Sequence, residues 1–219
     1  MQTEPERYRR IVLQVFDIIA ICSFPFSALL LALAHPVTLV VLGPKWEDTA
    51  PIFAAFTLVA LYMPLSSVAS WVLASQGRGR DFLLLSTIAS AFTVASFLAG
   101  LPFGPVGIAT ANSLSCIFVN LPLCFYIAGR QGPVSTRDLF ARFFQHLPIW
   151  GIVGGSVYLL RAAVQTSSPL LQLAICAPAG LLVGAAFVWA SPPARRAASS
   201  LIDVLSDWKT SRTPILAGR

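Results

Sequence analysis

The chain has 219 residues, 56% of them hydrophobic and 11% charged, with a formal net charge of +6 and a mean hydropathy of +0.76. Soluble domains carry about 25% charged residues, so this composition excludes a water-soluble globular fold and points to a membrane protein. The positive balance needs no nucleic acid, because the placement of the cations relative to a membrane accounts for it, with attraction to anionic headgroups as a second use.

The first ten residues, MQTEPERYRR, alternate acids and bases. No short apolar run ending in a small-residue cleavage site follows, so no signal peptide is expected. A helix that crosses about 30 Å of hydrocarbon needs roughly 20 mostly apolar residues. Six stretches qualify, at about 11–34, 51–74, 82–101, 105–128, 147–164 and 169–190. The expected fold is therefore all-α, a polytopic bundle over residues 1–191 with both termini cytoplasmic, followed by a cytoplasmic tail at 192–219.

The first span holds Asp17, the one acid within any span, about two turns beyond Arg10. A lone intramembrane carboxylate has two readings: a proton or cation site, or a group near enough to the cytoplasmic interface to reach water or Arg10. Pro25 and Pro64 are expected to kink the first two spans. Between those spans lies VLGPKWEDTAPIF, residues 41–53. Gly43 and Pro44 end the apolar run, and Trp46 has the amphipathic ring favoured at a membrane interface. Lys45 opposes Glu47 and Asp48, Asp48 or Thr49 can cap the next helix, and Pro51 falls in its first turn, where a missing N–H costs nothing.

The inner turn after the second span carries Arg78 and Arg80. Between the third and fourth spans, GLPFGPVG reads as a tight hairpin at Pro102, Gly104, Pro105 and Gly107. The fourth span is the most polar. Asn112, Cys116 and Asn120 are four apart on one face with Ser113 beside them, so that stripe should either hydrogen-bond between helices or line a wet substrate path. Pro122 should bend the helix just beyond. Small residues repeat at four-residue spacing at Gly151 and Gly155, Gly180 and Gly184, Ala91, Ala95 and Ala99, and Ser66 and Ser70, which lets helices approach closely in lipid.

Orientation follows from the cations, since short cytoplasmic loops collect Lys and Arg. With the N-terminus inside, every one of the 15 Lys and Arg residues except Lys45 and Arg161 falls on the cytoplasmic side. In the tail, Leu201, Leu205 and Trp208 share one side at helical spacing, which is consistent with an amphipathic surface helix or with a frayed tail. The four cysteines sit within apolar stretches and pack as small hydrophobes. Neither disulfides nor a metal site is expected, and no cofactor. No Ser, His and acid set lies on one side, and the adjacent Glu47 and Asp48 point apart, so an enzyme is disfavoured.

Three stretches, LAHPVTLVVLGPKWEDTAPIF, VLASQGRGRDF and LPFGPVGIATANSL, together resemble the C-terminal part of bacterial polysaccharide transporters, the oligosaccharide flippases of the multidrug/oligosaccharidyl-lipid/polysaccharide superfamily. Gly43 and Trp46 match the family's outer connection. Ala74, Gly77 and Arg78 match its inner turn, and Gly104, Gly107 and Ala109 its glycine hairpin, in register over about residues 10 to 130. The resemblance implies a protein of the cell inner membrane that flips lipid-linked oligosaccharide from the cytoplasmic to the outer leaflet, through a cavity between two lobes. It places this chain in the second lobe, with the two last spans resembling longer members and a second chain supplying the N-terminal lobe. Implied partners are membrane lipid and the lipid-linked oligosaccharide. Arg78 and Arg80 would then contact the diphosphate, or else serve orientation alone. Two other readings stand beside it: a noncatalytic membrane subunit or truncated remnant, and a membrane enzyme of cell-surface glycan assembly.

Overall fold

A computed structural model gives the fold and describes residues 4–164, 168–190 and 195. The expected amphipathic tail helix lies outside the described residues. Within them the chain is all helical: α1 Pro5–Ala32, α2 Ala34–Val41, α3 Ala50–Ser75, α4 Gly79–Gly100, α5 Gly104–Ser115, α6 Leu121–Gly129, α7 Thr136–Ala163 and α8 Pro169–Ala190. Five helical runs are long and apolar enough to cross a membrane. The third, Gly79–Gly129, has 51 residues and folds back on itself, so it contains the expected third and fourth spans.

The fold-back is set by glycine. Gly104 takes φ +71°, a left-handed conformation that other residues adopt only with strain. Gly100 and Gly107 then bring α4 and α5 into near backbone contact, because a Cβ on Gly100 would lie 2.5 Å from Ile108 Cα. Proline at 102 and 105 breaks the helix only at this corner.

α1 is the hub and packs against α7, α3 and α8. The reason is its four-residue stripe of Phe16, Ala20, Phe24 and Ala28, all fully buried. The small members let neighbours close in and the phenylalanines fill the space. Phe16 meets Phe125 of α6 edge-on at 5.8 Å, and Phe24 meets Phe143 of α7 at 5.7 Å. Large apolar side chains such as Leu83, Phe118, Leu159 and Trp189 are exposed; in a bilayer, lipid solvates such a surface while the helices satisfy their own backbone.

Several boundaries depart from expectation. α1 starts six residues before residue 11, and α7 starts at Thr136 rather than 147, because hydropathy finds only the part of a helix that is greasy. The early start of α7 is fixed by a capping box. Ser135 accepts from Asp138 N–H while the Asp138 carboxylate accepts from Ser135 N–H. Pro25 and Pro64 lie within the continuous helices α1 and α3, where proline bends a helix without ending it. The bend expected at Pro122 is instead a wide turn over Cys116–Asn120, in which Leu121 N–H reaches back to Cys116 O. Proline, lacking an N–H, cannot continue the regular ladder directly after it.

Two of the small-residue rows behave otherwise than expected. Gly180 packs on Leu29 and Val157, and Gly184 on Pro25 and Val153. Gly151 and Gly155 face open space, and Ala91, Ala95 and Ala99 are exposed, because α1 contacts α7 on its other side, through Gly154 against Ala28. The hydroxyls of Ser66 and Ser70 bond back to Met63 O and Ser66 O of their own helix.

Candidate functional site

The N-terminal ends of α1 and α7 carry facing stripes of ionisable groups. On α7, Asp138, Arg142 and His146 are four apart and therefore stacked on one face. On α1, Arg9 and Asp17 stand two turns apart on either side of buried Leu13. At the surface, Arg9 donates Nε–H and Nη2–H to the two oxygens of Asp138, at 2.9 and 2.7 Å. Deeper in, Arg142 donates to Asp17 Oδ2 at 2.6 Å, and His146 Nε2 lies 2.9 Å from Asp17 Oδ1. Asp17 is 6% exposed and His146 1%, with the Phe24 ring against the imidazole.

The order of charges matters. α1 presents a cation and then an anion, and α7 presents the complement. Sliding one helix past the other by a turn of about 5.4 Å would bring Arg9 toward Arg142 and strand Asp17 in the apolar core, so the stripe fixes the register of the pair. A carboxylate beside an imidazole can also take up and pass a proton, and the Arg142 side chain, 34% exposed, links that pair to the surface of the bundle. The expected alternative partner of Asp17, Arg10, is exposed and is replaced by Arg142 and His146.

A second cluster closes the same end. Arg78 donates to Asp81 Oδ2 and to the backbone carbonyls of Ile127, Ala128 and Gln131, so its fork holds the last turn of α6. Arg130 pairs with the other Asp81 oxygen. Arg80 is exposed. The phosphate role expected for Arg78 and Arg80 thus meets a structure in which Arg78 is engaged by protein, and only Arg80 of the two points outward.

The fourth-span stripe is buried: Asn112 is 7% exposed, Ser113 0% and Asn120 2%. Among the described residues, Asn112 Oδ1, Ser113 Oγ and Asn120 Oδ1 have no hydrogen-bond partner. At the opposite end of the bundle, Lys45, Trp46 and Asp48 are exposed. Glu47 pairs with His35 at 3.1 Å, and Arg161 donates to Ala32 O. Pro51 lies in the first turn of α3 as expected. Neither Asp48 nor Thr49 caps it by a side chain, because the tight turn Pro44–Thr49 leads straight into the helix and supplies carbonyls to its first N–H groups. Among the described residues, no group of three or more His, Cys, Asp or Glu could hold a metal.

Polar groups within apolar spans pointed to Asp17, Asn112, Ser113 and Asn120, and the family resemblance to Arg78 and Arg80. The residues missed were Arg9, Asp138, Arg142 and His146. The signal for them was present in the four-residue spacing of Asp138, Arg142 and His146, although residues 136–146 lay outside any stretch chosen by hydropathy.

One family's sequence model, described as polysaccharide biosynthesis protein, matches residues 1–51, which comprise α1, α2 and the tight turn before α3. No curated protein and no solved structure matched.

Proposed function

We propose that the chain moves lipid-linked oligosaccharide or polysaccharide precursors across the cytoplasmic membrane, as one helical lobe of a flippase and not as an enzyme. The observation that carries this reading is the match to a polysaccharide-biosynthesis family over residues 1–51, the segment that contains Asp17 and the outer connection. An all-helical bundle of apolar runs supports a path across lipid rather than a soluble reaction. A groove of about 190 Å³ between α1 and α3, lined by Val12, Val15, Val68 and Trp71 among others, offers apolar surface to a lipid tail. A second bundle completes the path, and the exposed face of α4 is where crosslinking would look for it.

The test is deletion of the gene in its native host with leaflet-resolved measurement of lipid-linked oligosaccharide. Precursor should collect on the inner leaflet while surface polysaccharide falls, and the intact gene should restore both. Unchanged surface polysaccharide together with an unchanged leaflet distribution would overturn the reading.

A further inference from the structure

Where α5 and the wide turn after it pack against α3 and α4 lies a seam of acceptors that the described residues leave without donors. Asn112, Ser113 and Asn120 are each more than nine-tenths buried, yet Asn112 Oδ1, Ser113 Oγ and Asn120 Oδ1 have no protein partner. Facing hydroxyls are committed elsewhere. Ser66 and Ser70 of α3 bond to their own helix, and Ser96 of α4 bonds to Thr93 O. A buried amide oxygen without a donor is costly, and more so where lipid replaces water outside.

The backbone is shaped to collect these groups. At about 100° per residue, eight residues of regular α-helix overshoot two full turns by about 80°, which would set Asn112 and Asn120 at the two edges of one broad face. The wide turn Cys116–Asn120 takes up that excess, since its residues advance by a smaller angle. Both amides then face one seam, with Cys116 between them, and four residues on Cys124 Sγ reaches Ser66 O of α3 at 3.9 Å. Such wide turns are frequent at functional sites.

We propose that this seam is a binding site for hydroxyl groups, at which Asn112, Ser113 and Asn120 receive hydrogen bonds from sugar hydroxyls of the transported glycan when α3 and α5 part. The proposal rests on the transport reading above for the identity of the glycan. Water offers the same hydrogen-bonding chemistry, and the experiment separates the two sources.

Cys116 is 5% exposed and lies on the stripe, so it is a native probe. In the full-length chain in native membranes, with Cys22, Cys124 and Cys176 replaced by Ala, a hydrophilic maleimide should label Cys116. A sister chain retaining only Cys176, which is fully buried, should stay unlabelled. The lipid-linked oligosaccharide fraction extracted from the host membranes should slow Cys116 labelling several-fold, and the same fraction stripped of its sugars by mild acid should not.

Labelling that the intact fraction leaves unchanged would overturn the glycan assignment and leave a merely hydrated seam. Cys116 as inert as Cys176 would overturn the site altogether. An independent arm replaces Asn112 with Leu. Removing a buried amide whose oxygen has no donor should leave the stability of the fold within about 1 kcal/mol of the parent, while transport falls about tenfold, the equivalent of one lost hydrogen bond; unchanged transport would count against the site. If transport by the parent is established while Cys116 stays inert, only the seam proposal fails.

Discussion

Asp17 of α1 and His146 of α7, 129 residues apart in the chain, meet at 2.9 Å inside the bundle, with Arg142 on the other carboxylate oxygen at 2.6 Å. No other acid or base competes for this carboxylate from the remaining helices packed around it, since α3, α6 and α8 contain no Asp, Glu, Lys, Arg or His. Among these packed helices, the Asp17 charge is therefore met from α7 alone.

Substituting Asp17→Asn keeps the shape and leaves the Arg142 charge without its counter-charge. Breaking one side of a buried pair costs about 3–5 kcal/mol, whereas replacing both sides by apolar residues is often neutral. Asp17→Asn should therefore lower thermal stability in micelles by about 3 kcal/mol, and the double change Asp17→Leu with Arg142→Leu should recover more than half of that loss. A single variant that melts with the parent, or a double variant worse than either single, would show that the network does not hold the helices together.

Arg78 and Arg80 look equivalent in sequence and are not so in the structure. Arg78 bridges Asp81 and three carbonyls at the end of α6, a geometry that a planar fork can satisfy and an ammonium cannot. Arg78→Lys should cost about 2 kcal/mol by the loss of charge-assisted hydrogen bonds, while Arg80→Ala should stay within about 0.5 kcal/mol. Transport measured on the same pair tests the role toward a diphosphate: Arg80→Ala with normal fold and weakened transport would assign phosphate contact to Arg80, whereas normal transport would leave Arg80 to orientation.

How far the sequence discloses this molecule depends on which physical signal each part uses. Hydrophobic length is a property of one segment, so the six expected apolar stretches fall on helices, grouped among the described residues into five runs long and apolar enough to cross a membrane, and the hairpin at Gly104 follows from local Gly and Pro chemistry. The pairing of charges is not local. Asp17 stands out because it is alone in its helix, but nothing in α1 says whether Arg10 or a residue 125 positions away will meet it. Which face of a helix is covered is likewise a tertiary matter, and it is why Gly180 packs while Gly155 of the same spacing pattern does not. The wide turn at Cys116–Asn120 was foreshadowed only by Pro122, which signals an irregularity without saying which kind.

Gly180 and Gly155 turn that last distinction into a measurement. Both belong to a glycine pair at four-residue spacing, so a rule based on sequence alone treats them alike. At Gly180 a Cβ would lie 2.5 Å from Val157 Cγ2 and would also collide with Leu29 Cδ2, whereas at Gly155 nothing lies within 4 Å. Overpacking a well-filled contact costs about 1–3 kcal/mol, so Gly180→Val should destabilise the bundle by that amount and loosen α8 from α1 and α7. Gly155→Ala, in contrast, removes glycine's backbone freedom at an uncrowded helical site and should gain about 0.5–1 kcal/mol. Thermal melts of the two variants in lipid nanodiscs would compare them directly. The reverse order, with Gly155→Ala disruptive and Gly180→Val tolerated, would mean that the exposed face of α7 is covered in the membrane and that α8 packs more loosely than described.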